Sequence, residues 1–169
     1  MPKPSNKSAS KQFEYPSLNQ NWWIETSNTS SKDEGIYVAS RFLPERISMW
    51  KALQSNGWKI ISSWIDKTNG NEEEDLGDLW LQNQNQIYDC ACLILYAEKE
   101  DFPLKGALIE VGMALANGKQ VFVVIDFELE DKTLRPVGSW IKHPNVIVVK
   151  TLEEVLQQIE FTGIIKYGK

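Results

Sequence analysis

The chain has 169 residues, of which 42% are hydrophobic and 24% charged, a length and composition typical of one globular domain. Its formal net charge of -5 argues against a nucleic-acid backbone or an anionic membrane surface as the main partner, since both bind basic faces. No apolar run reaches transmembrane length and the start of the chain has no apolar signal-peptide segment, so we expect a soluble, cytoplasmic protein without membrane contact.

The first 34 residues predict a separate region. Residues 1–34 are rich in Ser, Asn, Lys and Thr without a sustained hydrophobic period, which predicts a polar, flexible arm with a few residues docked on the domain. Its aromatic residues, among them Trp22 and Trp23, leave open the alternative of an arm that wraps a partner subunit. Residues 35–169 are predicted to form the folded domain.

In that domain, apolar runs alternate with helical patterns. In chain order, these are a strand at 36–40, a helix at 44–57, a strand at 58–65, a helix ending near Tyr88, a strand at 90–96, a helix at 105–118, a strand at 120–126, a strand at 145–149 and a helix at 151–161. Continuous apolar strands between helices predict a parallel sheet covered on both faces. We therefore expect an α/β, doubly wound five-stranded parallel sheet of the flavodoxin-like order 2-1-3-4-5.

Two cysteines, Cys90 and Cys92, lie two residues apart in one predicted strand. We expect buried reduced thiols there, which fits a cytosolic compartment. The acidic run at 72–75 is interpreted as a solvated helix start rather than a metal site. No metal and no other cofactor is expected.

A sheet of this order binds ligands outside the carboxyl ends of its first and third strands. This places Ser40, Arg41 and Phe42, together with the loop 97–106, at the expected binding crevice. Arg41 suits a phosphate or carboxylate, and Phe42 and Trp64 suit stacking on a base. Acidic residues of the loop, such as Asp101, are interpreted as solvated charges.

One carboxylate stands out in the helix at 105–118. Glu110 lies in an otherwise apolar helix, beside the small residues Gly106, Ala107 and Ala114 at helical spacing. Burying a lone carboxylate is unfavourable unless it is paired, so Glu110 is either a functional group or a structural tie to the loop after the first strand.

The segment GALIEVGMALANGKQVFVV resembles the nucleoside 2-deoxyribosyltransferase superfamily, including its branch of N-glycosidases that act on deoxynucleoside 5′-monophosphates. Five residues fill the family's pattern of glycines, glutamate and Gly-Lys pair: Gly106, Glu110, Gly112, Gly118 and Lys119. The aromatic residue of the family's first strand is matched by Tyr37, and the serine that reaches a neighbouring subunit's site is matched by Ser139. The resemblance spans about residues 35–160.

The resemblance implies an enzyme that cleaves or transfers at the N-glycosidic bond of a nucleoside or nucleoside 5′-monophosphate, with Glu110 acting at C1′ and Tyr37 donating to it. The family's general acid is an aspartate, expected here near Leu81. No aspartate stands at that place, which leaves Asp78 and Asn83 as candidates. Lys105 stands before Gly106, where the family carries Ser or Asp.

Three functions stay open at this point. The chain is an N-glycosidase or deoxyribosyltransferase, a non-catalytic nucleotide-sensing module, or a glycohydrolase of NAD like the TIR domains. A homo-oligomer is expected, because apolar side chains interrupt the polar segment 135–143, which the family places at a subunit interface.

Overall fold

The structure, a computed structural model, describes residues 35–67, 76–129 and 132–162. The predicted arm, 1–34, and the acidic run at 72–75 lie outside these ranges. The described residues form four strands and four α-helices: β1 (Ile36–Ala39), α1 (Pro44–Ser55), α2 (Leu76–Asp89), β2 (Cys92–Tyr96), α3 (Gly106–Ala116), β3 (Gln120–Val124), β4 (Val146–Val149) and α4 (Leu152–Thr162). Short 3-10 turns lie at Ser63–Asp66, Lys99–Asp101 and Ser139–Lys142.

The four strands form one parallel sheet in the order β1-β2-β3-β4. Every residue of β1 is buried, as are most of β2 and β3, which fits strands made of uninterrupted apolar residues. Helix α3 packs on β1, β2 and β3, α4 packs on β3 and β4, and α2 packs beside α3. Cys90 and Cys92 are buried free thiols, as predicted.

The predicted second strand, 58–65, is not confirmed. This segment forms a single parallel bridge, Ile36 with Ile60, outside the edge of β1, and then turns into the 3-10 segment at Ser63–Asp66. Side chains replace the sheet hydrogen bonds that a strand would supply to Val38. The Ser62 hydroxyl accepts from the Val38 amide at 2.7 Å, and the Trp64 indole donates to the Val38 carbonyl at 2.8 Å. The segment thus lies beside β1 without extending the sheet.

The helix ends follow local chemistry. Pro44 opens α1, where its missing amide hydrogen is not needed, and Gly57 follows its end at a φ of 91°. Gly118, at a φ of 69°, closes α3 in the left-handed conformation that glycine adopts without strain. The Thr151 hydroxyl accepts from the Glu154 amide at 3.2 Å at the start of α4. No helix among the described residues has the length and apolarity needed to cross a membrane.

Candidate functional site

Glu110 lies on the inner face of α3. The side chains of Ala107, Val111 and Ala114 pack into the core from the same helix, and Glu110 itself is only 8% exposed. Two side chains from other elements hold its carboxyl group: the Tyr37 hydroxyl of β1 donates to Oε1 at 2.7 Å, and Asn83 Nδ2 of α2 donates to the same oxygen at 3.3 Å. The contact predicted between Tyr37 and Glu110 is present, and the carboxyl group joins three elements.

The electrostatics of this group follow from burial. Loss of solvent raises the pKa of Glu110 from 4.5 to about 7, and the hydrogen bond from Tyr37 acts in the opposite direction. Burial, and next the neighbouring Glu110, raise the pKa of Tyr37 well above its ordinary value, so the phenol stays protonated. Glu110 is therefore a carboxyl group that changes charge near neutral pH between two neutral donors. Such a perturbed group is typical of functional sites.

Asn83 is less completely satisfied than Tyr37. Its side chain is buried, at 6% exposure, and its Oδ1 atom has no hydrogen-bond partner among the described residues. Of the two candidates for the second group, Asn83 is the one that contacts Glu110. Asp78 is exposed in the first turn of α2.

A cavity of about 400 Å³ opens at the carboxyl end of β1. It is lined by Ser40, Arg41 and Phe42 after β1, by residues 100–105 of the loop after β2, and by Ala107 in the first turn of α3. This is the location expected from the sequence, outside the carboxyl ends of the first and third predicted strands. Glu110 is not one of the described residues that line it, but Ala107, one turn earlier on α3, is.

The loop enters α3 through an unusual backbone. Leu104 and Lys105 both have positive φ angles, 60° and 37°, in a region that non-glycine residues seldom occupy. Lys105 is exposed at the position before α3, and Gly106 begins the helix. A Cβ atom on Gly106 would lie 3.3 Å from the Trp80 ring, so glycine allows α2 to approach here.

Arg46 and Asp101 form a buried charge cluster that the sequence interpretation did not anticipate. Arg46, in the first turn of α1, is 5% exposed, and the Asp101 side chain is 3% exposed rather than solvated. Arg46 contacts Glu98 at 2.7 Å and Asp101 at 3.6 Å. Its guanidinium carbon lies 4.3 Å from the centre of the Tyr96 ring. The sequence signal was the spacing of Arg46 four residues before the buried Trp50, which puts both on one face of α1.

The other predicted residues are distributed around the fold. Trp64 is buried, with its indole hydrogen bonded to Val38, and its ring centroid lies 6.1 Å from that of Phe42. Phe42 is 42% exposed and lines the cavity. Ser40 accepts a hydrogen bond from the Trp50 indole at 3.1 Å. Ser139 is exposed in the turn that packs beside β4, the strand at the opposite edge of the sheet from β1.

The described residues contain no group of three or more His, Cys, Asp or Glu side chains that could hold a metal ion. The polar groups of the candidate site are a carboxyl, a phenol and an amide, and the cavity adds both cationic and acidic side chains: Arg41, Lys105, Glu100 and Asp101. These groups suit an organic ligand with hydrogen-bonding and anionic parts.

The chain was compared with protein families, curated proteins and solved structures. No protein-family model matches the chain, and no curated protein matches it. Among solved structures, the chain is similar to Clostridium botulinum CMP N-glycosidase, BcmB, at 18% sequence identity and a TM-score of 0.48. The match covers 76% of this chain and 99% of that chain. At this identity and TM-score, the match does not assign the chain to a family.

Proposed function

We propose that this protein cleaves or transfers at the N-glycosidic bond of a nucleoside, deoxynucleoside or nucleoside 5′-monophosphate. The observation that carries the proposal is the buried carboxyl group of Glu110, held by Tyr37 and Asn83. The resemblance of the Glu110 segment to nucleoside 2-deoxyribosyltransferases supports the same chemistry.

Glu110 supplies the group that this reaction needs at the sugar. Departure of the base leaves positive charge on C1′ and the ring oxygen, and a carboxylate close to C1′ can attack that carbon or stabilise the charge. Both roles require the ionised form. Because the pKa of Glu110 is raised to about 7, the ionised form makes up about half of the population near neutral pH and increases above it. Tyr37 favours that form, since its hydroxyl donates to the carboxylate.

The cavity supplies the binding part of the proposal. Arg41 and Lys105 suit an anionic group of the ligand, the exposed face of Phe42 suits a base or sugar, and Ser40 adds a hydroxyl. Ala107 lines the cavity one turn before Glu110 on α3, and its small side chain leaves space for a ligand to approach along the helix. We assign Ser139 and Trp64 no direct contact with the ligand in this proposal.

A second candidate follows from the neutral neighbours of Glu110. A neutral nucleoside needs an acid to protonate its departing base, but the raised pKa of Tyr37 makes its phenol a poor proton donor, and the Asn83 amide is not an acid. An N-ribosyl pyridinium such as NAD releases a neutral base and needs no such acid. The same two neighbours favour an NAD glycohydrolase, or a nucleotide-binding module without catalysis, as the alternatives to be tested.

One panel of substrates distinguishes these functions. The protein is incubated with nucleosides, nucleoside monophosphates and NAD, and released base is measured by chromatography. We expect release from a nucleoside or monophosphate, and Glu110→Gln to reduce it by roughly 1,000-fold or more, because an amide cannot replace the charge at C1′.

A matched variant, Glu153→Gln, removes an exposed carboxylate from the first turn of α4 and should leave turnover unchanged. Release from NAD alone would favour the glycohydrolase. Ligand binding without release from any substrate would favour the binding module, and full activity of Glu110→Gln would exclude the proposed mechanism.

A further inference from the structure

Arg46 lies behind the wall of the cavity. Its Nη2 atom contacts Glu98 at 2.7 Å and Asp101 at 3.6 Å, while its planar group lies over the ring of Tyr96, the last residue of β2. The backbone amide of Glu98 also donates to the Asp101 carboxylate, at 2.9 Å. One arginine of α1 therefore ties together the end of β2 and the loop that forms one side of the cavity.

Asp101 lies between the buried Arg46 and the more exposed Arg41. Its carboxylate is 3% exposed, and its other oxygen lies 3.8 Å from Nη1 of Arg41, whose side chain is 55% exposed. Both Arg41 and Asp101 line the cavity. One buried carboxylate thus lies between two guanidinium groups, and only Arg41 among these three residues has substantial access to solvent.

A buried carboxylate is unfavourable unless a cation and hydrogen bonds compensate it. Here Arg46 and the Glu98 amide provide that compensation from inside the fold. Arg41 lies 3.8 Å from Asp101, within ion-pair distance but too far for a hydrogen bond, and keeps hydrogen-bond donors for another anion. Without Arg46, Asp101 would pair more closely with Arg41, and this pairing would neutralise the charge of Arg41 at the cavity.

We propose that Arg46 is a positioning residue, which neutralises Asp101 from within the fold and so keeps Arg41 available to bind an anionic group of the ligand. This inference rests on the proposed function only in assigning Arg41 to ligand binding. The anionic group is one that a guanidinium binds through paired hydrogen bonds, a phosphate or a carboxylate. Arg46 itself does not contact the ligand.

Inorganic phosphate is the probe that tests this inference, with binding to the full chain measured by titration calorimetry. Arg46→Met keeps an apolar side chain over Tyr96 and removes the charge, and we expect it to weaken phosphate binding by roughly tenfold. Adding Asp101→Asn to that variant removes the carboxylate that captures Arg41. The double variant should therefore bind phosphate within about threefold of the wild type.

Lys51→Met is the matched control. Lys51 also lies on α1 and makes an ion pair with Asp66 at 3.6 Å, but both side chains are exposed and neither residue lines the cavity. Its removal should leave phosphate binding unchanged. A purely structural role of Arg46 predicts the opposite pattern for the double variant, since losing both partners would disturb the loop at least as much as losing one.

Unchanged phosphate binding by Arg46→Met, or no recovery in the double variant, would overturn the inference. So would a wild-type protein that does not bind phosphate. If Arg46→Met does not fold, Asp101→Asn alone decides: equal or tighter phosphate binding supports the inference, and weaker binding overturns it. Base release plays no part in these measurements, so an inactive protein would contradict the proposed function without changing this result.

Discussion

Glu110→Gln should stabilise the protein at alkaline pH. Raising the pKa of a carboxyl group from 4.5 in the unfolded chain to about 7 in the fold corresponds to roughly 3 kcal/mol of unfolding free energy. Below the unfolded pKa, Glu110 is protonated in both states and its burial carries no charge penalty. As pH rises towards 7, the unfolded chain releases the proton first, so the wild-type protein loses this stability.

The glutamine variant removes that dependence and keeps the local contacts. Its side-chain amide would present a carbonyl oxygen that can accept from Tyr37 and Asn83 as Oε1 of Glu110 does now. Urea unfolding followed by tryptophan fluorescence should therefore show a variant similar to the wild type near pH 4 and more stable by about 3 kcal/mol near pH 8. Glu153→Gln, which alters an exposed side chain, serves as the control. Parallel pH profiles for Glu110→Gln and the wild type would refute the assignment of a raised pKa to Glu110.

Three further predictions concern Tyr37, the arm and the oligomer. Tyr37→Phe removes the donor that favours the ionised carboxylate, so unfolding free energy at pH 8 should fall by roughly 2 kcal/mol and the pH profile of base release should move upward; an unmoved profile would contradict the role of the hydroxyl. A chain that starts at about residue 33 should melt within a few degrees of the full chain, and a large decrease in Tm would show that the arm contributes to stability. Light scattering at micromolar concentration should show a dimer or larger assembly through 135–143, and a monomer would contradict this.

The helices were predictable because their signals are local. Pro44, Gly118 and Thr151 each act within one turn of their own helix, and the structure places each at the expected boundary. The location of the cavity was also predictable, since it follows from where parallel strands end. Tyr37 could be proposed as a donor because a buried, ionised Glu110 needs one and the family resemblance places an aromatic residue in the first strand; its hydroxyl lies 2.7 Å from Glu110 Oε1.

The segment 58–65 was harder to predict, because its apolar pattern suits a strand. Its conformation depends on which groups form hydrogen bonds with the backbone at the free edge of β1. Ser62 and Trp64 satisfy Val38 through their side chains, and this makes further backbone pairing unnecessary. Sequence periodicity does not indicate whether a side chain or a backbone group will bond to the edge strand, since a serine hydroxyl and a backbone carbonyl are both adequate acceptors.

The cluster of Arg46 and Asp101 was not predictable for a different reason. The two residues are far apart in sequence, and a charged residue is usually exposed unless it is paired. Their pairing depends on the loop after β2 returning to α1. A local interpretation of an acidic loop therefore assigns Asp101 to solvent, whereas its side chain is 3% exposed.

The direction of the stability change in Glu110→Gln separates the two interpretations of this residue. If Glu110 only tied α3 to β1, a charged hydrogen bond from Tyr37 would stabilise the fold, and the variant would be less stable above pH 7. A raised pKa means that desolvation exceeds the benefit of that hydrogen bond, so the charged form opposes folding. Strongly perturbed carboxyl groups are enriched at functional sites, and such sites exchange stability for activity. A variant that is both more stable at pH 8 and unable to release base would establish that Glu110 exchanges stability for activity. A less stable variant would assign Glu110 a structural role alone.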